Sequence, residues 1–212
     1  MNTNDLLDTY FKELQDKDQF SGVVLITQGK ETLFSGAYGY ASRTWQIPNT
    51  LGMRFDTASI TKLFTSAAIL QLIDEGKLGF DTAVIDYLGL EGTQISEEVN
   101  IFHLLTHTSG IGDDCEEENG EDYADLWKIK PNYAVRKTDD FLAQFIHKPP
   151  NFPPGQGCRY CNCSFVLLGL MIEKTMNMTY RDYVKKHIFA RVVMKDSGFF
   201  SMDEVNPNLA EG

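Results

Sequence analysis

The sequence predicts an α+β fold. Two strand-like runs stand side by side near the N-terminus, and nearly every later apolar pattern has helical spacing. A helix comes first: Leu6, Leu7, Tyr10, Phe11 and Leu14 share one face of residues 4–16. In "SGVVLITQGKETLFSGAYGYAS" the apolar run Val23–Ile26 meets a turn at Gln28-Gly29-Lys30, and Thr32–Tyr38 returns as its hairpin partner. A long helix follows over 59–75 and stops at Gly76. "SEEVNIFHLLTH" predicts a short helix capped by Ser96, and "TDDFLAQFIHK" one capped by Thr138 with Phe141, Leu142, Phe145 and Ile146 inward. "CSFVLLGLMIEKTM" is apolar almost all round and is expected to be buried. "TYRDYVKKHIF" opens on a capping box, Thr179 to Asp182. Loops join these at 113–122 and 148–157, and there is no internal repeat. "FARVVMKDSGFFSMDEV" offers one short strand at most.

Composition narrows the function classes. With 212 residues, 42% of them hydrophobic, the chain can bury a core as one large domain or two small lobes. A net charge of -11 repels phosphate backbones and anionic lipid, so neither nucleic acid nor membrane is an expected partner. No apolar run reaches membrane-spanning length. The first twenty residues lack the basic n-region and apolar core of a signal peptide, so with Met1 as native start the expected location is cytoplasmic.

Two polar features invite metal readings. Cys158, Cys161 and Cys163 form C-x-x-C-x-C, with Cys115 as a candidate fourth thiolate for zinc or an iron–sulfur centre. Zinc ligands usually come as two spaced pairs or a Cys/His mix, which favours plain reduced thiols. The acidic stretch "DDCEEENGED" is oxygen-rich but lacks the alternation and central glycine of a calcium loop. It is expected to be a solvated surface loop.

The residues with a chemical purpose are Ser59 and Lys62. A serine hydroxyl is a weak nucleophile and needs a base, and a lysine amine can serve when its surroundings lower its proton affinity. At i and i+3 on a helix the two share a face. At the helix start, free backbone N–H groups would also stabilise an oxyanion. A capped helix with a stray lysine fits the same four residues. The apolar neighbours Ile60, Leu63, Phe64, Ala67 and Ala68 imply a buried helix, in which a lysine without a purpose is costly. In "RYCNCS", Tyr160 and Asn162 alternate and so point the same way on an extended segment. The phenol could relay a proton, and the carboxamide could hold a substrate amide or orient a lysine.

Taken together, "TASITKLFTSAAILQLIDEGKLGFDTAVIDYL", "IFHLLTHTSGI", "PPGQGCRYCNCSFVLLGLMIEK" and the early hairpin resemble the serine β-lactamase and penicillin-binding-protein superfamily. The branch they resemble most holds the class C β-lactamases, D-Ala-D-Ala carboxypeptidases and esterases. "HIFARVVMKDSGF" resembles the next segment, although "ARVV" departs from its proline-leucine-glycine. The resemblance implies a helical lobe beside an antiparallel sheet, with Ser59, Lys62 and Tyr160 catalytic, Asn162 substrate-binding, and neither metal nor organic cofactor. Cys161 and Cys163 then replace small polar residues. His107 and Ser109 fall in a structural stretch, and Ser109 lacks a G-x-S-x-G elbow.

The family's third motif, Lys/His-Thr/Ser-Gly, has no match after Asn162. A lone hairpin also leaves an open sheet edge. Both point to an N-terminal fragment with an incomplete sheet, expected to be inactive alone. The expected organisation is an N-terminal helix with two strands (1–55), a helical lobe with the nucleophile helix (56–150), and the Tyr-x-Asn segment with its helices (151–212). The partners expected are a small-molecule or peptide substrate and, as a separate chain, the protein's own C-terminal portion. Three readings stay open: a serine hydrolase acting on amide, lactam or ester; a non-catalytic member binding a peptide or partner; and a thiol or metal protein.

Overall fold

The computed structural model describes residues 2–129, 131–201 and 203–211. The chain forms two compact units, one of residues 1–58 with 196–212, the other of residues 59–195.

The first unit opens with α1 (Thr3–Asp16), started by a reciprocal cap. Asn2 Oδ1 accepts the Asp5 N–H at 2.9 Å, while the Asp5 carboxylate accepts the Asn2 N–H at 3.2 Å. β1 (Gly22–Gln28) and β2 (Glu31–Tyr38) pair antiparallel, with a register shift between Ile26 and Thr27. Phe11 joins α1 to this hairpin, its ring 5.3 Å from Phe20, 5.5 Å from Tyr38 and 6.3 Å from Phe34. Leu6 and Tyr10, on the same predicted face, stay more than half exposed. A second small ladder, β3 (Tyr40–Ser42) with β4 (Ile47–Pro48), was not legible in the sequence because it is too short for a periodic signal. No strand forms in the described residues after Phe189. Instead Leu209 makes one parallel bridge to Arg54. Met202, within the stretch expected to offer a short strand, lies outside the described residues.

The second unit is helical. Its elements are α2 (Thr61–Asp74), α3 (Val84–Leu88), α4 (Ile101–Leu105), α5 (Tyr123–Ile129), α6 (Asn162–Met176) and α7 (Tyr180–Val184), which continues as a π turn to Phe189. The sequence predicted neither α3 nor α5, which are too short to show a period. α6 is the central helix, with α2, α3, α4 and α7 packed against it. Its Leu167, Leu168, Met171 and Ile172 are fully buried. Each such side chain contributes about 1.5–3 kcal/mol of apolar transfer.

Several expectations are corrected. The helix predicted over 59–75 starts at Thr61, after a 3₁₀ turn over Ala58–Ile60. It buries Thr65, Ala68, Ile69 and Leu72, but Ile60 and Leu63 are 56% and 68% exposed, so its N-terminal end is not buried. Ser96 does not cap α4. Residues around Val99 and Asn100 are drawn out against Ala83, with Val84 N–H bonded to Val99 O at 2.9 Å. The helix therefore starts later, with Asn100 Oδ1 accepting the His103 N–H at 3.0 Å. Thr138 caps nothing either: its hydroxyl donates to Glu173 at 2.8 Å, and residues 138–144 form a 3₁₀ segment. Asp140 reaches back to the N–H groups of Arg136 and Lys137.

The acidic loop is a solvated surface loop only in its second half: residues 118–122 are exposed, but residues 113–116 turn inward. Asp113 and Glu116 are 6% and 8% exposed and Cys115 is buried. Two cations distant in sequence draw it in. Arg159 reaches Glu116 at 2.7 Å, and Lys148 reaches Glu121 at 3.0 Å and the Asp114 carbonyl at 2.9 Å. Among the described residues the donors that converge are those of Asp113, Asp114 and Cys163, not the four cysteines.

Candidate active site

Ser59 is placed by a tight local turn. Asp56 Oδ1 accepts the Ala58 N–H at 2.9 Å, and Ala58 has φ of +42°, a left-handed conformation that costs a non-glycine residue on the order of 1–3 kcal/mol. The chain then enters the 3₁₀ turn and α2. Ser59 makes no helix cap. Its hydroxyl is exposed and free for other partners, and Lys62 stands three residues along on the same side.

Those partners are the residues the sequence singled out. Ser59 Oγ lies 2.6 Å from Tyr160 Oη, across 101 residues of chain. Lys62 Nζ donates to Ser59 Oγ at 3.2 Å and to Asn162 Oδ1 at 2.7 Å. Oγ accepts from the ammonium and shares one hydrogen with Tyr160 Oη, a bond in which either hydroxyl can donate. Asn162 Nδ2 donates to Tyr123 Oη at 2.7 Å. The opposite amide orientation would turn an NH₂ toward the ammonium, so the two contacts fix the carboxamide. Lys62 also sits 4.6 Å from the Tyr160 ring centroid and 5.6 Å from that of Phe165. Two π faces and two oxygens thus hold its charge.

A layer of buried groups holds the Tyr160–Asn162 turn. Cys161 is extended, so Tyr160 and Asn162 fall on one side before α6 begins. His107 Nδ1 accepts the Cys161 N–H at 3.1 Å, and its carbonyl accepts the Arg159 N–H at 2.9 Å. The His107 ring lies 4.7 Å from that of Tyr160. Burial, helped by the nearby Lys62 charge, holds this imidazole below its ordinary pKa and so favours its neutral form. Asp113 accepts the N–H groups of Asn162 and Cys163, each at 2.9 Å. Ser109 is buried away from this cluster, its Oγ 3.3 Å from Ser164 Oγ. Sequence reasoning missed Tyr123 and Asp113. Asp113 stands in the acidic loop without a spacing signal, and Tyr123 opens a helix of only about two turns.

The cysteines fill small polar roles. Cys161 Sγ accepts the Ser164 N–H at 3.4 Å as the α6 cap and faces Asp113 at 3.6 Å. Burial first, then the Asp113 charge, pushes its thiol up to about 12. Burial pushes Cys163 up as well. Such thiols stay protonated at neutral pH, which does not suit a nucleophile. Cys158 is exposed, and no disulfide joins Cys158, Cys161 or Cys163.

The Beta-lactamase family profile matches residues 7–212. The chain belongs to the Beta-lactamase family. Penicillin-binding protein 4* of Bacillus subtilis is 32% identical over 197 residues, which cover 92% of this chain and 41% of that protein. Esterase EstB of Burkholderia gladioli is 29% identical over 204 residues, 93% of this chain and 52% of that protein. The crystal structure of a penicillin binding protein from Bacillus halodurans superposes with a TM-score of 0.86 at 41% identity, over 93% of this chain and 60% of that one. The chain thus spans about half the length of the curated relatives it matches. The fold is the α+β fold of this family, as the sequence predicted, and no helix among the described residues is long and apolar enough to cross a membrane.

Proposed function

We propose that this chain carries the nucleophile half of a serine hydrolase site that forms an acyl-enzyme on an amide, lactam or ester carbonyl. One observation carries the reading: Ser59 Oγ lies within hydrogen-bond reach of both Tyr160 Oη and Lys62 Nζ. Family membership supports it, since relatives include a penicillin-binding protein and an esterase.

In this mechanism the pair reacts with a single proton between amine and phenol: Tyr160, as a phenolate beside the Lys62 ammonium, takes the Ser59 proton along the 2.6 Å contact while Oγ attacks the carbonyl carbon. Asn162 keeps Lys62 beside the reacting oxygen and presents its amide to the substrate. The Ser59 N–H supplies one donor to the tetrahedral oxyanion. The Lys62–Tyr160 pair then protonates the leaving group, and water releases the acyl group. The four side chains need no metal or organic cofactor for these steps.

The test is covalent labelling of the intact protein with a fluorescent penicillin and a fluorophosphonate, followed by mapping of the adduct. The adduct is expected on Ser59 and is lost in Ser59→Ala. Tyr160→Phe is expected to slow labelling by about 10²–10⁴-fold, the usual contribution of a positioned acid–base group. No adduct with either probe, or unchanged labelling in Ser59→Ala, would defeat the proposal.

A further inference from the structure

We propose that Asp113 is a positioning residue for this site, its carboxylate setting the place of Asn162 and, through the same turn, of Tyr160. The inference rests on the serine-hydrolase reading above. Asp113 lies in the loop that composition marks as solvated, yet it is 94% buried, being 6% exposed. One carboxylate oxygen accepts the Asn162 N–H at 2.9 Å. The other accepts the Cys163 N–H at 2.9 Å and the Asp114 N–H at 3.1 Å, and faces the Cys161 thiol at 3.6 Å. No ion pair to it is formed among the described residues. Backbone donors therefore hold the charge, at the positive end of the 15-residue helix α6.

Its own backbone is pinned in turn. The Asp113 N–H donates to Glu116 Oε1 at 2.8 Å, and Glu116 is locked to Arg159 at 2.7 Å. Arg159 precedes Tyr160, so the clamp closes on both sides of the motif. With His107 taking the Cys161 N–H, the N–H groups of residues 161, 162 and 163 are all held by residues 107 and 113. What remains to Asn162 is rotation about its side-chain bonds, and Lys62 and Tyr123 fix that. A cap that served only the helix would need the N–H groups alone. This one binds the N–H of the very residue that holds Lys62, so displacement of its oxygens displaces the amide from the ammonium. Misplacement by about 1 Å can cost on the order of 100-fold in rate.

The experiment measures the rate of Ser59 labelling by a fluorophosphonate, resolved into binding and inactivation constants, in the intact protein. Thermal melting and side-chain amide exchange at Asn162 by NMR accompany it. In Asp113→Asn one accepting oxygen becomes a donor facing an N–H. We expect the inactivation constant to fall at least tenfold with binding little changed, and Asn162 amide exchange to quicken at least tenfold, at temperatures where the variant is folded. Asp182→Asn, in the exposed cap of α7 and without contact to Asp113 or residues 161–163, is expected to label within twofold of wild type. If Asp113→Asn does not fold, Asp113→Glu keeps the charge but moves the oxygens by one methylene and is expected to show the same two changes. Wild-type labelling and exchange in a folded Asp113 variant overturn the proposal and leave Asp113 a helix cap. Wild-type protein that takes no label defeats the hydrolase reading instead. The exchange measurement then still decides whether Asp113 places Asn162.

Discussion

At Lys62 an ammonium is held by an amide oxygen at 2.7 Å and a hydroxyl oxygen at 3.2 Å, with no carboxylate in ion-pair range among the described residues. A neutral partner leaves the proton free to move, whereas an anion would hold it. Asn162→Asp is therefore expected to slow Ser59 labelling by more than about tenfold and to move the pH–rate profile to higher pH, since an adjacent opposite charge favours the protonated amine. An unshifted profile would contradict that account. Asp114 shows the reverse case, a carboxylate beside another carboxylate. Burial, then the Asp113 charge, pushes it up to about 6. The folded state thus binds more protons than the unfolded state between about pH 4, where a free aspartate titrates, and about pH 6. Stability falls as pH rises through that window, and the loss is complete above it. Asp114→Asn is expected to raise the melting temperature relative to wild type at pH 8 and to lose that advantage at pH 4. Equal gaps at both pH values would count against the raised carboxyl.

Between elements, the proline-rich loop and the loop after α4 approach so closely that one side chain would not fit. A Cβ on Gly110 would stand 1.9 Å from the Phe152 carbonyl oxygen, and Gly110 also has φ of +69°. Gly155 has φ of +77° but meets only His103 Nε2, at 3.5 Å. Gly155→Ala should then cost about 1 kcal/mol, for conformation alone. Gly110→Ala should cost more than about 3 kcal/mol, because backbone must move as well. Urea denaturation of the two variants checks the difference, and similar midpoints would mean that the close approach relaxes cheaply. The same loops carry Asn151 and Arg159, joined at 2.9 Å, so the Gly110 variant is also expected to disturb the segment leading into Tyr160.

On the scale of the whole molecule, apolar surface and net charge oppose one another. Leu25 is 64% exposed and Leu33 39%, on the face of the hairpin away from Phe34 and Tyr38. Ile60, in the 3₁₀ turn, and Leu63, on α2, are exposed as well. Such surface promotes association, while a charge of -11 resists it over distances near the Debye length, about 8 Å at physiological salt. The 212-residue chain is expected to sediment more slowly at low salt than at high salt, where association is released. Leu25→Lys together with Leu63→Lys should abolish the salt-dependent species. Association unchanged in that double variant would assign it to other surface.

The sequence by itself determined whatever depends on short spacing. Ser59 and Lys62 share a side because they stand at i and i+3, Tyr160 and Asn162 because they alternate, and α6 is buried because it is apolar all round. The hairpin was legible for the same reason, as two runs joined by one turn. Only the tertiary structure decided what each group meets at long range. The acidic loop reads as solvated throughout because composition cannot show Arg159 and Lys148 arriving to neutralise it. Ser96 reads as a cap because nothing local shows Asn100 drawn out against Ala83. Lys62 read as buried and costly, yet the helix end is exposed, and the ammonium is satisfied by an amide 100 residues away. The carboxylate of Asp113 finds its N–H groups 49 and 50 residues on, a pairing set by how the chain returns rather than by any pattern along it.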